Sequence, residues 1–372
     1  MTPAQLVLDR AGIDHLIGAL TARGYQVVGP TVRDGAIVYG EVMGTADLPV
    51  GFKDEQGPGI YRLTHREDEA LFGYVVGPQS PKTSLHPAEV VVWKGERTRQ
   101  GFAMASPAEP PRLAFLGVRP CELAAVAIQD RIFLGGARDA VYGGRRDGAF
   151  FVAVNCTEPG GTCFCASMGT GPRAQSGFDI ALTEVLDGSA HYFVAVAGSE
   201  AGSSLLAEAG AAEAKRAQVK VADGLLEQAA GHMGREMQTR GLAEVLRQSL
   251  EDPHWQEVAK RCLTCANCTL VCPTCFCANV EDNTDLSGQH AERIRRWDSC
   301  FNYEFSLIHG GPHRATPAAR YRQWMTHKLA WWFDQFGTSG CVGCGRCITW
   351  CPVGIDITAE AAAIRASSEE VA

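Results

Sequence analysis

Two runs of four cysteines, each followed by a proline, constrain this chain of 372 residues more than any other feature. The first run is Cys262-x2-Cys265-x2-Cys268-x3-Cys272-Pro273. The second run is Cys341-x2-Cys344-x2-Cys347-x3-Cys351-Pro352. This spacing is typical of bacterial ferredoxins, in which the fourth cysteine of a run binds the cluster of the other run. The first three cysteines, three residues apart, curl a short loop around three corners of an Fe4S4 cube.

The crossed pattern predicts two [4Fe–4S] clusters with defined ligands. The ligands of the cluster 1 site are Cys262, Cys265, Cys268 and Cys351. The ligands of the cluster 2 site are Cys341, Cys344, Cys347 and Cys272. Because each site takes its fourth ligand from the other run, the fold must bring the two runs together and hold the two clusters close.

Two alternatives explain these cysteines without a cluster. Structural zinc sites usually present two separated Cys-x2-Cys pairs, whereas each run here places four cysteines in succession before a proline. The other alternative is a set of unconnected core thiols. The repeated spacing favours the iron–sulfur interpretation over both.

The chain has fifteen cysteines, and seven lie outside the eight predicted ligands. We predict a third [4Fe–4S] cluster on Cys121, Cys156, Cys163 and Cys165. The last three lie in or beside the Gly-rich loop 157–171, where backbone N–H groups can approach sulfur closely. Cys121 follows a predicted strand that ends at Val118, a suitable place for a fourth ligand.

Other assignments of the seven cysteines remain open. The third cluster could take ligands from Cys275, Cys277 or Cys300, or a Cys-x-Cys pair could be redox-active. Buried, inert thiols are a further alternative, since free cysteine often behaves as a small apolar residue. For these three cysteines we favour buried thiols beside the clusters.

The rest of the sequence predicts an α+β fold with an N-terminal α+β domain at residues 1–230. A helix is expected over residues 4–23, because apolar residues recur at helical spacing before Gly24. Short apolar runs bounded by Gly, Pro and Asp predict strands. They lie at residues 25–28, 36–42, 90–93, 112–118, 149–154 and 192–196.

Residues 231–372 are predicted to form a helical domain that holds the two clusters. Residues 203–250 are rich in helix-favouring residues, and Asp252-Pro253 predicts the start of a helix over 254–261 that leads into Cys262. The segment between the two runs is longer than a small β/α ferredoxin needs. Three further helices are expected there, at residues 291–297, 317–326 and 327–336.

Composition and missing motifs exclude several function classes. The formal net charge of −8, with no basic stripe, argues against nucleic-acid binding. No stretch approaches the roughly 18 apolar residues of a membrane span, and the N-terminus lacks the pattern of a signal peptide. A cytoplasmic location is therefore expected. No Rossmann, P-loop or H-E-x-x-H motif occurs, so no catalytic residue is predicted.

Several segments, some outside the two runs, resemble one known family. They are Gly117-Val-Arg-Pro-Cys-Glu-Leu123, Asn155-Cys-Thr-Glu-Pro-Gly-Gly-Thr-Cys-Phe-Cys165, Ser167-Met-Gly-Thr-Gly-Pro172, Cys272-Pro-Thr-Cys-Phe-Cys277, Arg296-Trp-Asp-Ser-Cys300 and Gly340-Cys-Val-Gly-Cys-Gly-Arg-Cys347. The chain resembles the beta (iron–sulfur) subunit of cytoplasmic sulfhydrogenase-type nickel–iron hydrogenases. It equally resembles the corresponding iron–sulfur subunit of anaerobic sulfite reductase.

The resemblance implies a non-catalytic electron-transfer subunit of a multi-subunit oxidoreductase. One implied partner is a flavin- and 2Fe–2S-bearing subunit that exchanges electrons with NAD(P)H. The other is a catalytic subunit, either a nickel–iron hydrogenase or a sirohaem sulfite reductase. The resemblance also implies that the cluster domain is of the alpha-helical ferredoxin type.

Two functions other than electron transfer are also compatible with the cysteines. The extra cysteines, or a cluster with an open coordination position, could make the chain a thiol/disulfide or polysulfide reductase. A redox sensor is a weaker hypothesis, because the sequence shows no DNA-binding element and no basic patch.

Overall fold

A computed structural model describes residues 4–75, 77–105, 109–188 and 190–371 of the chain. Within these ranges the α+β prediction is confirmed. The strands are β1 Gln5–Leu8, β2 Gln26–Arg33, β3 Ala36–Glu41, β4 Phe52–Gly57, β5 Ile60–His65, β6 Glu89–Thr98, β7 Gly101–Met104, β8 Leu113–Val118, β9 Phe150–Val154, β10 Ile180–Asp187, β11 Ala190–Ala197, β12 Ala212–Glu213, β13 Ala278–Thr284, β14 His290–Trp297, β15 Leu307–Ile308 and β16 Gly311–Pro312.

The helices alternate with these strands in the first part of the chain and dominate its last part. They are α1 Arg10–Ala22, α2 Lys82–Leu85, α3 Pro120–Leu134, α4 Ala140–Arg146, α5 Glu200–Glu208, α6 Arg216–Gly231, α7 Leu242–Gln248, α8 His254–Arg261, α9 Asn267–Leu270, α10 Pro317–Thr326, α11 Trp332–Phe336, α12 Arg346–Thr349 and α13 Ile357–Val371. A 3-10 turn at Thr45–Asp47 and a π-helical turn at His327–Trp331 complete the helical segments.

The main sheet has eight strands in the order β12-β1-β11-β10-β9-β8-β2-β3. Strands β2, β8, β9 and β10 run parallel to one another, and the outer pairs are antiparallel. Strands β8 and β9 are buried along their whole length, so they read as continuous apolar runs rather than as an alternating pattern. The parallel centre aligns the carboxyl ends of these strands along one edge of the sheet.

Helices cover both faces of this sheet. Phe193 of β11 packs into the core that also contains Leu16 of α1 and Leu205 of α5. Its neighbour Val194 packs instead with Ala222 of α6. Because successive side chains of a strand point to opposite faces, α6 covers the face opposite to α1 and α5.

A second sheet, of order β13-β14-β6-β7, overturns the helix predicted over residues 291–297. That segment lies in strand β14, which pairs antiparallel with both β13 and β6. Arg293 lies opposite Asp282 and binds it at 2.6 Å, and Arg296 lies opposite Glu89 and binds it at 2.8 Å. These cross-strand ion pairs and the hydrogen-bonded ladder outweigh the helical preference of the charged residues.

The helix predicted over residues 4–23 is also shorter than expected. Residues 5–8 form strand β1, which lies inside the main sheet between β11 and β12. The helix begins after Asp9, whose carboxylate accepts a hydrogen bond from the Gly12 N–H at 2.9 Å. It ends before Gly24, which has a positive φ of 78°.

The remaining element predictions for the last part of the chain are confirmed. Helix α8 follows Asp252, whose side chain accepts a hydrogen bond from the His254 N–H at 2.7 Å. Residues 317–326 form α10, and residues 327–336 are helical through the π-helical turn and α11. Helices α6 and α7 fall within the region expected to be helical, residues 203–250, and α5 begins three residues before it. Within the described ranges, no helix is both long and apolar enough to cross a bilayer.

The division into domains at residues 1–230 and 231–372 stays a proposal, which two apolar cores support. One core surrounds the main sheet, and the other is built almost wholly from residues after 236, including Leu246, Trp255 and Ile364. Phe164 reaches from the N-terminal part into the second core. The β13–β14 hairpin, in turn, joins β6, so the two proposed domains share a sheet.

A buried ion pair also joins the two parts of the chain. Arg346 Nη2 donates to Glu122 Oε1 at 2.6 Å, and these side chains are 3% and 0% exposed. The other carboxylate oxygen of Glu122 accepts hydrogen bonds from the Tyr39 hydroxyl at 2.8 Å and the Arg119 N–H at 2.9 Å. Arg346 Nε donates to the Gly77 carbonyl at 2.9 Å. The pair is therefore well partnered, and neither member can be removed without leaving a buried charge.

We expect Glu122→Gln to lower the free energy of unfolding by about 3–5 kcal/mol, because it leaves the Arg346 charge buried and unpaired. The measurement is urea denaturation of anaerobically prepared protein, followed by circular dichroism. The matched control is Glu208→Gln, which breaks the exposed Arg23–Glu208 pair and should cost about 0–1 kcal/mol. Similar small losses in both variants would show that the buried pair does not hold the two parts together.

Candidate iron–sulfur centres

The two cysteine runs adopt the same backbone conformation. In the first run Thr264 and Ala266 have positive φ values of 52° and 66°, and in the second Gly343 and Gly345 have values of 66° and 72°. These residues stand at equivalent positions, two and four residues after the first cysteine. A short helix follows each loop, α9 in the first run and α12 in the second. The left-handed residues turn each loop tightly enough for its three cysteines to face one centre.

Backbone N–H groups point at the cysteine sulfurs in both runs. The Thr264 N–H donates to Cys262 Sγ at 3.4 Å, and the Gly343 N–H donates to the equivalent Cys341 Sγ at 3.5 Å. The Ile355 N–H donates to Cys351 Sγ at 3.3 Å. Such donors stabilise negative charge on sulfur, which a cluster ligand carries.

The structure brings together all four predicted ligands of the cluster 1 site. They line one cavity together with Leu263, Ala266, Asn267, Phe301, Tyr321, Trp324, Cys347, Pro352, Val353, Ile355 and Ile357. Burial raises the pKa of the Cys268 thiol, and the thiols of Cys262, Cys351 and Cys265 raise it further. The cavity is apolar, and its thiols come from both runs as the crossed pattern predicts.

Two buried hydrogen-bond donors without partners make this cavity suitable for an anionic group. The Tyr321 hydroxyl and the Trp324 indole N–H are buried and have no hydrogen-bond partner within the described part of the chain. Both residues line the cavity. A buried donor without a partner is costly, and an anionic sulfur cluster would supply acceptors for both.

The ligands of the cluster 2 site also lie together. Burial raises the pKa of the Cys347 thiol, and the thiols of Cys341, Cys344, Cys272 and, from the neighbouring site, Cys268 raise it further. Within the described ranges, no three His, Cys, Asp or Glu side chains converge tightly enough to hold a single metal ion.

The four cysteines proposed for a third cluster come together at the carboxyl edge of the main sheet. Cys121 lies in the first turn of α3, directly after β8, and Cys156 follows β9. Burial raises the pKa of the Cys163 thiol, and the thiols of Cys165 and Cys156 raise it further. Burial likewise raises the pKa of Cys121, with Cys165 as its first neighbouring thiol. All four residues are buried.

The loop 157–171 clasps the second cysteine run. The Phe164 N–H donates to the Gly343 carbonyl at 2.8 Å, and the Thr170 hydroxyl donates to the Val342 carbonyl at 2.6 Å. The Cys163 thiol lies 3.9 Å from the Cys344 carbonyl oxygen. The third thiol set is therefore held directly against the cluster 2 site.

The last three cysteines lie beside these sites. A hydrogen bond with Cys300 lowers the pKa of the Cys277 thiol to about 7. A hydrogen bond from Cys275 is the main cause that lowers the pKa of Cys272, and Lys328 lowers it too. This placement agrees with thiols next to the clusters, and it leaves the open ligand alternatives untested.

Four buried cations surround the thiols, and sequence analysis missed all of them. Burial lowers the pKa of Lys82 to about 8. Burial also lowers the pKa of Lys328, but the thiols of Cys272, Cys275 and Cys341 raise it well above its usual value. Arg119 lies beside Cys156, and Arg346 lies beside Cys344. The only signal for Lys328 was a lone charge in the apolar stretch before Trp331 and Trp332.

Fold and site together define an α+β protein with a ferredoxin-type [4Fe–4S] domain. The family described as "4Fe-4S dicluster domain" matches residues 261–355, which contain both runs. The chain is 35% identical over 248 residues to sulfhydrogenase 2 subunit beta of Pyrococcus furiosus, covering 66% of this chain and 72% of that protein. No solved structure matches. The chain belongs to the family of sulfhydrogenase beta subunits.

We expect Gly343→Ala to remove the iron of the cluster 2 site, about four atoms per chain. A Cβ at Gly343 would lie 2.6 Å from the Phe164 carbonyl oxygen and 2.7 Å from Cys165 Cα, where the two loops clasp. The control is Gly24→Ala, which carries the same backbone strain of about 1–2 kcal/mol but meets no atom within 4 Å. Iron analysis of both proteins tests this, and unchanged iron in Gly343→Ala would contradict the tight clasp.

Proposed function

We propose that this chain is a non-catalytic electron-relay subunit of an oxidoreductase complex. In this proposal Cys262, Cys265, Cys268 and Cys351 hold one [4Fe–4S] cluster, and Cys341, Cys344, Cys347 and Cys272 hold a second. Cys121, Cys156, Cys163 and Cys165 hold a third. The clusters supply one-electron carriers, and the chain fixes their spacing, their hydrogen bonds and their exposure to water.

One observation carries the proposal: the three thiol sets lie in series. Cys347 of the cluster 2 site lines the same cavity as the four cysteines of the cluster 1 site. The Cys163 thiol of the third set lies 3.9 Å from the carbonyl oxygen of Cys344 in the cluster 2 site. A chain of neighbouring redox centres is what an electron relay needs, whereas a purely structural cluster needs no neighbours.

The outer end of the series reaches the protein surface. Cys265 is the one exposed cysteine in the described ranges. The apolar side chains of Leu263 and Val353, which line the same cavity, are 61% and 38% exposed. A partner that carries a redox group could therefore approach the cluster 1 site closely, while the cluster 2 site and the third set lie deeper.

The partners in the proposal come from the family. The similar Pyrococcus protein is named as one subunit of a sulfhydrogenase. At one end of the relay we propose a flavin- and 2Fe–2S-bearing, NAD(P)H-linked subunit. At the other end we propose a catalytic subunit, either a nickel–iron hydrogenase or a sulfite reductase. We place the complex in the cytoplasm, a reducing compartment where clustered cysteines more often bind metal than form disulfides.

A second candidate function, thiol/disulfide reduction, is favoured by the Cys277–Cys300 pair. Their hydrogen bond lowers the pKa of Cys277 to about 7, which raises its thiolate fraction near neutral pH. Reducing a disulfide needs two electrons, which the clusters would supply one at a time, and two protons from solvent. Disulfide reduction by the reduced chain that is lost in Cys277→Ala would support this candidate.

One test of the proposal is the number of clusters in each chain. Anaerobically prepared protein should contain about twelve iron atoms and as much acid-labile sulfide per chain, four for each cluster. The double variant Cys163→Ala/Cys165→Ala should retain about eight, because it removes two ligands of the third set. The matched control Cys275→Ala/Cys277→Ala, in an equivalent Thr-Cys-Phe-Cys segment, should retain all of the iron.

About eight iron atoms in the unaltered protein would remove the third cluster from the proposal. Loss of iron from the control variant instead would reassign ligands to Cys275 and Cys277.

Another test concerns electron transfer through the proposed relay. In the assembled complex, Cys344→Ser should abolish NAD(P)H-coupled turnover, because Cys344 belongs to the middle site of the series. Dye-linked turnover at the catalytic partner should survive, because dyes deliver electrons there directly. Cys300→Ser serves as the control and should retain both activities. Loss of both activities from a fully assembled Cys344→Ser complex would contradict the relay role.

A further inference from the structure

Lys328 lies in an unusual backbone segment beside the cluster 2 site. The π-helical turn His327–Trp331 interrupts the path from α10 to α11, and Lys328 is its second residue. The side chain is only 2% exposed. Single π-helical turns are rare and occur frequently at functional sites, because they redirect a side chain that a regular helix would place elsewhere. Here the redirected side chain is a buried amine.

The contacts of Lys328 match those of an ammonium ion. Its Nζ lies 3.3 Å from Cys272 Sγ, 3.0 Å from Thr274 Oγ1 and 3.1 Å from the Gly340 carbonyl oxygen. The Thr274 hydroxyl lies 2.6 Å from the same carbonyl and donates to it, so that its oxygen is free to accept from Lys328. Three N–H groups thus meet three acceptors, which is the full donor capacity of a lysine ammonium.

The charge of Lys328 has no carboxylate to balance it within the described ranges. The ion pairs of these ranges do not include Lys328, and its one sulfur contact is Cys272, a predicted cluster ligand. The Trp332 ring lies 4.9 Å from Nζ and adds a cation–π contact. A buried cation is costly unless it is paired, so the anionic cluster ligand is its natural counter-charge.

We propose that Lys328 tunes the reduction potential of the cluster 2 site, raising it by placing a positive charge against Cys272 Sγ. Reduction adds one negative charge to a cluster, and a cation in contact with a ligand sulfur stabilises the reduced form more than the oxidised form. Net charge and hydrogen bonds to sulfur are among the features that set cluster potentials. The inference rests on the proposed function, since it needs a cluster on Cys272, and it adds a positioning role for a lysine.

The effect should be specific to one site. The residues that line the cluster 1 cavity include no lysine and no arginine. Their side-chain donors, the Tyr321 hydroxyl, the Trp324 indole and the Asn267 amide, are all neutral, and the remaining donors are backbone N–H groups. Losing the Lys328 charge should therefore shift the cluster 2 signal and leave the cluster 1 signal nearly in place.

Lys82 supplies a matched control. It is also buried, at 4% exposure, and its ammonium lies near the same loop. Its Nζ donates to the carbonyl oxygens of Leu270, Cys272 and Cys275 at 3.2, 2.8 and 3.3 Å, and it lies 3.9 Å above the Trp297 ring. Lys82 therefore bonds the backbone of the loop but no sulfur, so Lys82→Met removes a buried charge without removing an N–H···S contact.

The experiment is a potentiometric titration of the full anaerobic chain, followed by electron paramagnetic resonance. The signal that disappears in Cys344→Ser identifies the cluster 2 site. In Lys328→Met that signal should need a lower potential for reduction, with a reduced-to-oxidised ratio at least tenfold lower at a fixed potential. For a one-electron couple this corresponds to a shift of about 59 mV. Lys328→Arg keeps the positive charge, so its potential should lie close to that of the unaltered protein. Lys82→Met should lower the potential by less than Lys328→Met does.

A second variant, Lys328→Gln, is used in case Lys328→Met fails to assemble its clusters. Glutamine keeps a hydrogen-bond donor but removes the charge. If Lys328→Met loses iron, the same titration on Lys328→Gln decides. An unmoved cluster 2 signal in an iron-replete variant overturns the inference, and so does an equal shift of every signal. Loss of iron from both variants also overturns it, since Lys328 would then be a structural requirement. An unaltered chain without iron would instead overturn the proposed function.

Discussion

The structure depends on holding two distant cysteine runs face to face. In the predicted ligand assignment each run alone supplies three ligands, so a complete site needs the fourth cysteine of the other run. The two runs contact each other directly. The side-chain amide of Asn267, in the first run, donates to the carbonyl oxygen of Trp350, in the second run, at 2.5 Å. Most of the last part of the chain, from α8 to α13, packs into one apolar core around this contact. That core, rather than either loop, fixes the distance between the two predicted clusters.

Burial of so many thiols creates an electrostatic problem that the buried cations address. Burial raises the pKa of thiols such as Cys121, Cys268 and Cys347, because the neutral form is favoured away from water. Cluster ligands must be deprotonated, so assembly releases protons and leaves buried negative charge. Lys328 and Arg346 lie where that charge would develop. Arg346 already pairs with Glu122, whereas the charge of Lys328 is costly alone and becomes favourable when an anionic group fills the site.

The sequence allowed candidate ligands to be named, whereas parts of the scaffold around them were predicted wrongly. The spacing of the two runs predicts which thiols should share a site, because three-residue steps and the following proline are local constraints. The structure places the four cluster 1 cysteines around one cavity. The strand at residues 291–297 was mistaken for a helix because its pairing with β6 and β13 is a long-range effect that local preference does not report. Residues 5–8 were missed for the same reason. The partners of Lys328 could not be predicted, since Cys272 and Gly340 reach it only through the tertiary fold.

The position of the proposed third thiol set follows from a general property of parallel strands. The carboxyl ends of such strands share one edge, and α/β proteins bind their ligands outside that edge. Here β8 and β9 end beside each other and deliver Cys121 and Cys156 to one place. Cys121 also lies in the first turn of the fifteen-residue α3, whose partial positive charge favours a thiolate and opposes the effect of burial, which raises the pKa of this thiol. Because Arg346 pairs with Glu122 of the same helix turn, the end of the sheet and the second cysteine run are fixed to one another. In the proposed relay, this ion pair would hold the third thiol set at a fixed distance from the cluster 2 site.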